Sequence, residues 1–176
     1  MALAFGDDTA KRAGRLTLNP IAHIDPFGTI LLPLILALSG AGMFGWAKPV
    51  PVNPARLRNP RQQTLLVSLA GPVTNVAIAV LAAAALRNHV FHGDLALRVV
   101  FAAGFINVIL AAFNLLPIPP LDGSAVIERF IPAAWAPSWH RFRQYSFGIL
   151  LLMVLVLPGA LQNVFEHALR LWSRLL

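Results

Sequence analysis

The sequence predicts an all-α integral membrane protein, with about four membrane-embedded helices and short extended segments in the loops. Three observations carry this. Of 176 residues, 57% are hydrophobic and only 12% are charged, where a soluble domain averages about 25% charged residues. Four stretches without Asp, Glu, Lys or Arg, residues 28–47, 64–86, 99–116 and 144–165, approach the length that spans a bilayer, roughly 20 residues. There is no internal repeat and no low-complexity tail, so residues 1–176 read as one integral-membrane domain.

The first stretch carries Pro33 and glycines at 28, 40, 42 and 45. It either spans, or dips in and returns, because irregular backbone is tolerated at depth when protein buries it. Basic residues favour the second arrangement. With four full spans, Lys and Arg divide seven and seven between the two sides, but a returning first stretch makes the division ten and four. By the positive-inside rule, the N-terminus and the loops 48–63 and 117–143 then face the cytoplasm. The net charge of +7 in so apolar a chain suits cytoplasmic flanks and lipid head groups. No Lys/Arg block is interleaved with aromatics, which excludes nucleic acid as partner. Without cysteines there is neither a disulfide framework nor thiol chemistry.

Two polar connections look extended. Residues 14–19, "GRLTLN", alternate Leu16 and Leu18 with polar neighbours. Residues 48–54, "KPVPVNP", alternate Val50 and Val52 with prolines, which confines them to an edge strand or a polyproline-like connector.

The second stretch holds "AGPVTN". Gly71 permits close helix approach, Pro72 removes a backbone hydrogen bond and Asn75 needs a partner. Helix packing around a kink explains all three. In the third stretch Asn107 and Asn114 share a helix face. That run ends in "NLLPIPPLDGS", where Pro117, Pro119 and Pro120 stop the helix. Asp122 and Gly123 follow. Asp122 either caps the helix that begins at "SAVIERF" or marks a functional site, since a carboxylate near bilayer depth is expensive. Both readings stay open from the residues alone. His89 and His92 have H-x-x-H spacing, but a solvated loop accounts for them. The chain contains no H-E-x-x-H, no G-x-S-x-G and no P-loop. The tail "NVFEHALRLWSRLL" looks like a basic amphipathic helix at the interface or a cap on the bundle.

The order of "GDDTAKRAGRLTLNPIAHIDPFGTILLP", "GWAKPVPVNPARLRNPRQ", "LAGPVTN" and "FNLLPIPPLDG" resembles the site-2 protease family, zinc metalloproteases that cut peptides inside membranes. The last stretch follows an N-x-x-P-x-x-x-L-D-G pattern and "GPVTN" is similar to G-P-x-x-N. The resemblance implies that Asp122 is the third zinc ligand and that Asn114 lies near the metal, orienting substrate or stabilising the oxyanion. It places Gly71, Pro72 and Asn75 in a helix packed beside the site, with Pro117 and Gly123 in the ligand loop. It also implies membrane-embedded peptides as substrates, with strand addition to an exposed edge as a capture mode, and a multi-pass location in a bacterial-type inner or plasma membrane.

In the family, two histidine ligands and a general-base Glu lie in an H-E-x-x-H helix just before the "ALAFGDDTAKR" region. This chain begins with Met1 at that point. The expectation is therefore the C-terminal part of a site-2 protease core, inactive by itself, that holds zinc weakly or not at all. A non-catalytic relative that binds membrane segments is the alternative.

Overall fold

The computed structural model describes residues 1–39, 45–156 and 158–176. It contains two compact units, Met1–Thr64 and Leu65–Leu176. The helices are α1 (Thr9–Arg12), α2 (Leu32–Ser39), α3 (Pro60–Arg87), α4 (Asp94–Asn114), α5 (Ser124–Phe130), α6 (Ala136–Val156) and α7 (Pro158–Ser173). No strand forms among the described residues.

The first unit is organised by a carboxylate. The opening turn Ala2–Phe5 ends at Gly6, whose φ of 104° is a left-handed conformation that glycine adopts without penalty. Asp7 follows, only 1% exposed. One of its oxygens accepts the Thr9 N–H at 3.0 Å and the Thr9 hydroxyl. The other accepts the Asn53 N–H at 2.7 Å. The neighbouring Asp8 pairs with Arg12 at 2.8 Å and with Arg56. Two adjacent acids thus fasten residues 7–12 to residues 53–56. The Thr9 hydroxyl, ahead of the backbone N–H groups of Asn53 and Thr9 and the Arg56 charge, holds the Asp7 carboxyl below its ordinary value despite its burial.

A depressed carboxylate stabilises the fold above its unfolded pKa, and that contribution disappears as pH falls through the folded value. Asp7→Asn should therefore raise amide hydrogen exchange at Asn53 on the order of tenfold at neutral pH. Wild-type exchange there should rise only when acidified below the ordinary Asp range. Equal protection of Asn53 in both proteins at pH 7 would remove Asp7 from this role.

The two segments expected to be extended form no ladder. Asn19 accepts the Ile21 N–H at 3.0 Å and starts a tight turn over Pro20–His23 instead. Residues 45–53 carry neither helix nor turn. They are strapped down at two points, Trp46 N–H to the Gly28 carbonyl at 3.0 Å and Lys48 N–H to the His23 carbonyl at 2.9 Å. Pro49 and Pro51 cannot donate, so pairing stops there. A Cβ on Gly28 would lie 2.3 Å from the Trp46 ring, so this glycine makes the seat for the indole.

The first apolar stretch is helical over Pro26–Leu31, in wide turns, and then over α2. Its continuation through residues 40–44 lies outside the described residues, and with it the choice between spanning and returning.

In the second unit, α3 and α4 are 28 and 21 residues long and apolar enough to cross a membrane. Only 17% of either apolar window is buried, so most of this surface faces outward rather than into a protein core. These two helices coincide with the second and third predicted stretches. Within the fourth, residues 144–156 and 158–165 are helical, as parts of α6 and α7, and residue 157 lies outside the described residues. α7 packs along α4 and touches α6. Four membrane-crossing helices are thus not what the described residues present.

A small-residue seam joins α3, α4 and α7. Ala79 and Ala83 of α3, Val108 of α4 and Trp172 of α7 form its buried core. The Trp172 indole N–H donates to the Ala79 carbonyl at 2.8 Å. Its ring occupies the space above Gly104, where a Cβ would lie 2.3 Å from Cζ2 and 3.0 Å from the Ala82 methyl.

Candidate functional site

The loop after α4 is built around its prolines. Leu116 N–H closes a last turn on the Phe113 carbonyl at 3.1 Å, and Leu121 N–H bonds the Ile118 carbonyl at 2.9 Å. Pro119 is fully buried and the Pro119–Pro120 bond is cis. The Gly123 N–H then returns to the Asn114 carbonyl at 2.7 Å. That bond ties the two ends of the loop and brings Asn114 and Asp122 to the same neck.

Gly123 is required there for space. A Cβ would lie 2.2 Å from the Leu115 carbonyl oxygen and 2.6 Å from that of Leu116, both backbone atoms that cannot step aside. Pro117 sits in the exposed outer part of the loop.

Asp122 does not cap α5. The residue before α5 is Gly123, and no side chain caps that helix. The half-buried Asp122 carboxylate has no hydrogen bond or ion pair among the described residues. It leans towards α3, with Oδ2 3.4 Å from the position of a Cβ on Gly71. Burial pushes its carboxyl above the ordinary value. Ser124 next to it is buried and satisfied by the Leu121 carbonyl at 2.7 Å.

Of the "GPVTN" residues, Gly71 is the one shown facing the same place. Gly71 is exposed at ordinary contact distance from the Asp122 carboxylate, so its missing side chain opens α3 to the loop rather than to another helix. Pro72 is fully buried and α3 runs through it without a break. Asn75, half-buried, lies one turn on from Gly71. Asn107 takes no part: its amide donates back to the Ala103 carbonyl of its own helix at 2.8 Å.

A carboxylate oxygen is a suitable zinc donor, and one that is half-buried and unpaired is a fitting one. A zinc centre needs at least three protein donors. Among the described residues no three His, Cys, Asp or Glu side chains converge, so the fit is that of one ligand. His89 and His92 stay in the loop between α3 and α4, where His89 closes a turn at φ 50°.

Sequence reasoning missed the Gly104–Trp172 seat, the Asp7–Asn53 fastening and the loop-closing bond to Asn114. The first had a signal, a lone glycine in an apolar helix and a tryptophan in an amphipathic tail. The others depend on contacts that no local pattern reveals.

Comparison with known proteins identifies the family. The profile of peptidase family M50 matches residues 85–157. "Putative zinc metalloprotease YwhC" of Bacillus subtilis is 42% identical over 167 residues, covering 90% of this chain and 72% of the relative. "Putative zinc metalloprotease Rip2" of Mycolicibacterium smegmatis is 34% identical over 171 residues, and Rip2 of Mycobacterium tuberculosis H37Rv is 36% identical over 167. Each covers 93% of this chain, which spans 62% of the length of either Rip2 protein. No solved structure matches significantly. With 42% identity across nearly three-quarters of YwhC, and an aspartate loop of the expected pattern seated against the G-P-x-x-N helix, the chain belongs to peptidase family M50, the site-2 protease family.

Proposed function

We propose that this chain forms the aspartate side of an intramembrane zinc endopeptidase of site-2 type, in a multi-pass protein of a bacterial-type inner or plasma membrane. The observation that carries the reading is the Asp122 carboxylate, half-buried, without a partner, relieved of any capping duty and facing the glycine of α3. Asp122 would supply one oxygen donor. Zinc, when bound, supplies Lewis-acid polarisation of a peptide carbonyl and activation of water.

The chain's own residues do the positioning. Gly123 and the Asn114 carbonyl fix the loop on the end of α4. The Asn114 side chain, half-buried at that neck, would hold a substrate carbonyl or the oxyanion that develops from it. Val50 and Val52, exposed in the strapped segment 45–53, offer extended backbone to an unwound substrate.

The two histidines and the general-base Glu of the family pattern are not among residues 1–176, so these residues alone should hold zinc weakly. The test uses the enzyme in which this stretch is joined to its H-E-x-x-H helix, reconstituted with a membrane-embedded peptide. Cleavage should stop with 1,10-phenanthroline and return with zinc, while calorimetry on residues 1–176 alone should find no tight zinc site. Cleavage indifferent to the chelator would end the zinc reading. Tight one-to-one zinc binding by residues 1–176 would move the site to His89, His92 and Asp94.

A further inference from the structure

Outside the aspartate loop, the second unit carries a groove of about 370 Å³ between the end of α5 and the start of α6. Its walls are Ile131, Pro132, Trp135, Ser138, Trp139 and Phe142, almost wholly apolar. The volume lies within the range of small-molecule sites. Trp139 contributes the face of its ring to this wall; its Nε1 is fully buried behind it, out of reach of anything in the groove.

The surroundings select the ligand. Between residues 124 and 165 the only carboxylate is Glu128, and it is engaged by Arg143 through both oxygens at 3.2 Å. Arg129 and Arg141, each within two residues of the groove lining, have no ion pair or hydrogen bond among the described residues. The net local charge is therefore positive, complementary to an anion.

The groove also sits at a boundary along α6. His140, Arg141, Arg143 and Gln144 lie beside and just after its last lining residue, Phe142, and beyond them Ser146–Val156 is free of charge. Trp135, Trp139 and Tyr145 cluster at this level, as aromatic residues do where a membrane meets water. A soluble anion would satisfy the arginines but leave the apolar wall bare, and an apolar peptide would leave the arginines bare.

We propose that this groove binds one anionic phospholipid, with the upper part of an acyl chain against Trp135, Trp139 and Phe142, and Arg129 and Arg141 at the head group. This site is separate from the zinc chemistry and does not depend on it.

Native mass spectrometry of the detergent-purified chain, with phosphatidylglycerol or phosphatidylcholine of identical acyl chains added, tests it. One phosphatidylglycerol per chain should be retained, about tenfold in preference to phosphatidylcholine. Arg129→Gln and Arg141→Gln should each lower phosphatidylglycerol affinity about fivefold. Trp139→Ala should weaken retention of both lipids. Because Trp139 is partly buried and its variant could misfold, Ser138→Trp serves as the second variant: Ser138 is exposed, and a large ring there fills the groove and should abolish retention with an unchanged circular dichroism spectrum. Equal retention of the two lipids, retention that survives Ser138→Trp, or cross-linking between Phe142 positions of two copies in place of lipid would each overturn the proposal.

Discussion

Asp122→Ala is expected to reduce peptide cleavage by the assembled zinc enzyme at least about 100-fold, since loss of an outer partner of a metal ligand already costs 10–100-fold. The same variant should leave the fold nearly untouched. The Asp122 side chain makes no bond within the described residues, and α5 starts at Ser124 without its help. The loop is held by backbone, through Gly123 N–H to the Asn114 carbonyl and Leu121 N–H to the Ile118 carbonyl. Removing a carboxylate that burial has pushed above its ordinary pKa also removes an electrostatic cost rather than a gain. Cleavage and zinc content should therefore fall together at an unchanged melting temperature in detergent. Persistent cleavage by Asp122→Ala, with normal zinc content, would withdraw the ligand assignment.

Gly104→Leu is expected to be strongly destabilising to the second unit. The new side chain would compete with the Trp172 ring, whose Cζ2 lies 2.3 Å from the Cβ position, and with Ala82 at 3.0 Å. Either the helices part or the indole leaves. If the indole leaves, it forfeits its bond to the Ala79 carbonyl and its burial beside Val108. Loss of a buried tryptophan costs about 3–5 kcal/mol. The melting transition should drop accordingly, and Trp172 emission should shift to longer wavelength. A double variant makes the argument sharper. Gly104→Leu should add little in a Trp172→Ala background, because the conflict no longer exists, and the two effects should be strongly non-additive. Simple additivity would show that the glycine and the indole do not share one space.

How much of this was legible in the sequence follows from the range of the forces involved. α3 and α4 were visible because an uncharged apolar run of that length has few alternatives to a helix. The position of Asp122 was visible because three prolines must end α4 just before it. Its freedom from capping was not, because that turned on Gly123 taking the position before α5. The segment 48–54 showed the right alternation but held Pro49 and Pro51, so it pairs into no strand, and its end at Pro54 enters a tight turn. The role of Gly71 was partly visible. A small residue was legible, but its neighbour, a carboxylate some fifty residues on, was not.

The indole seat also sets an order of events. Ala79 and Trp172 are 93 residues apart. At the usual pace of synthesis, roughly 5–20 residues per second, Ala79 waits about 5–20 s for its partner to be made. α3 is finished early in that interval and α4 once Asn114 is made, and from then until Trp172 arrives the notch above Gly104 stands open to whatever is nearby. A nascent chain halted short of Trp172 would keep its two longest apolar helices but lack the ring that fastens α7 across them. Such an arrested intermediate is the form in which a chaperone or a quality-control protease would find an exposed crevice to grip.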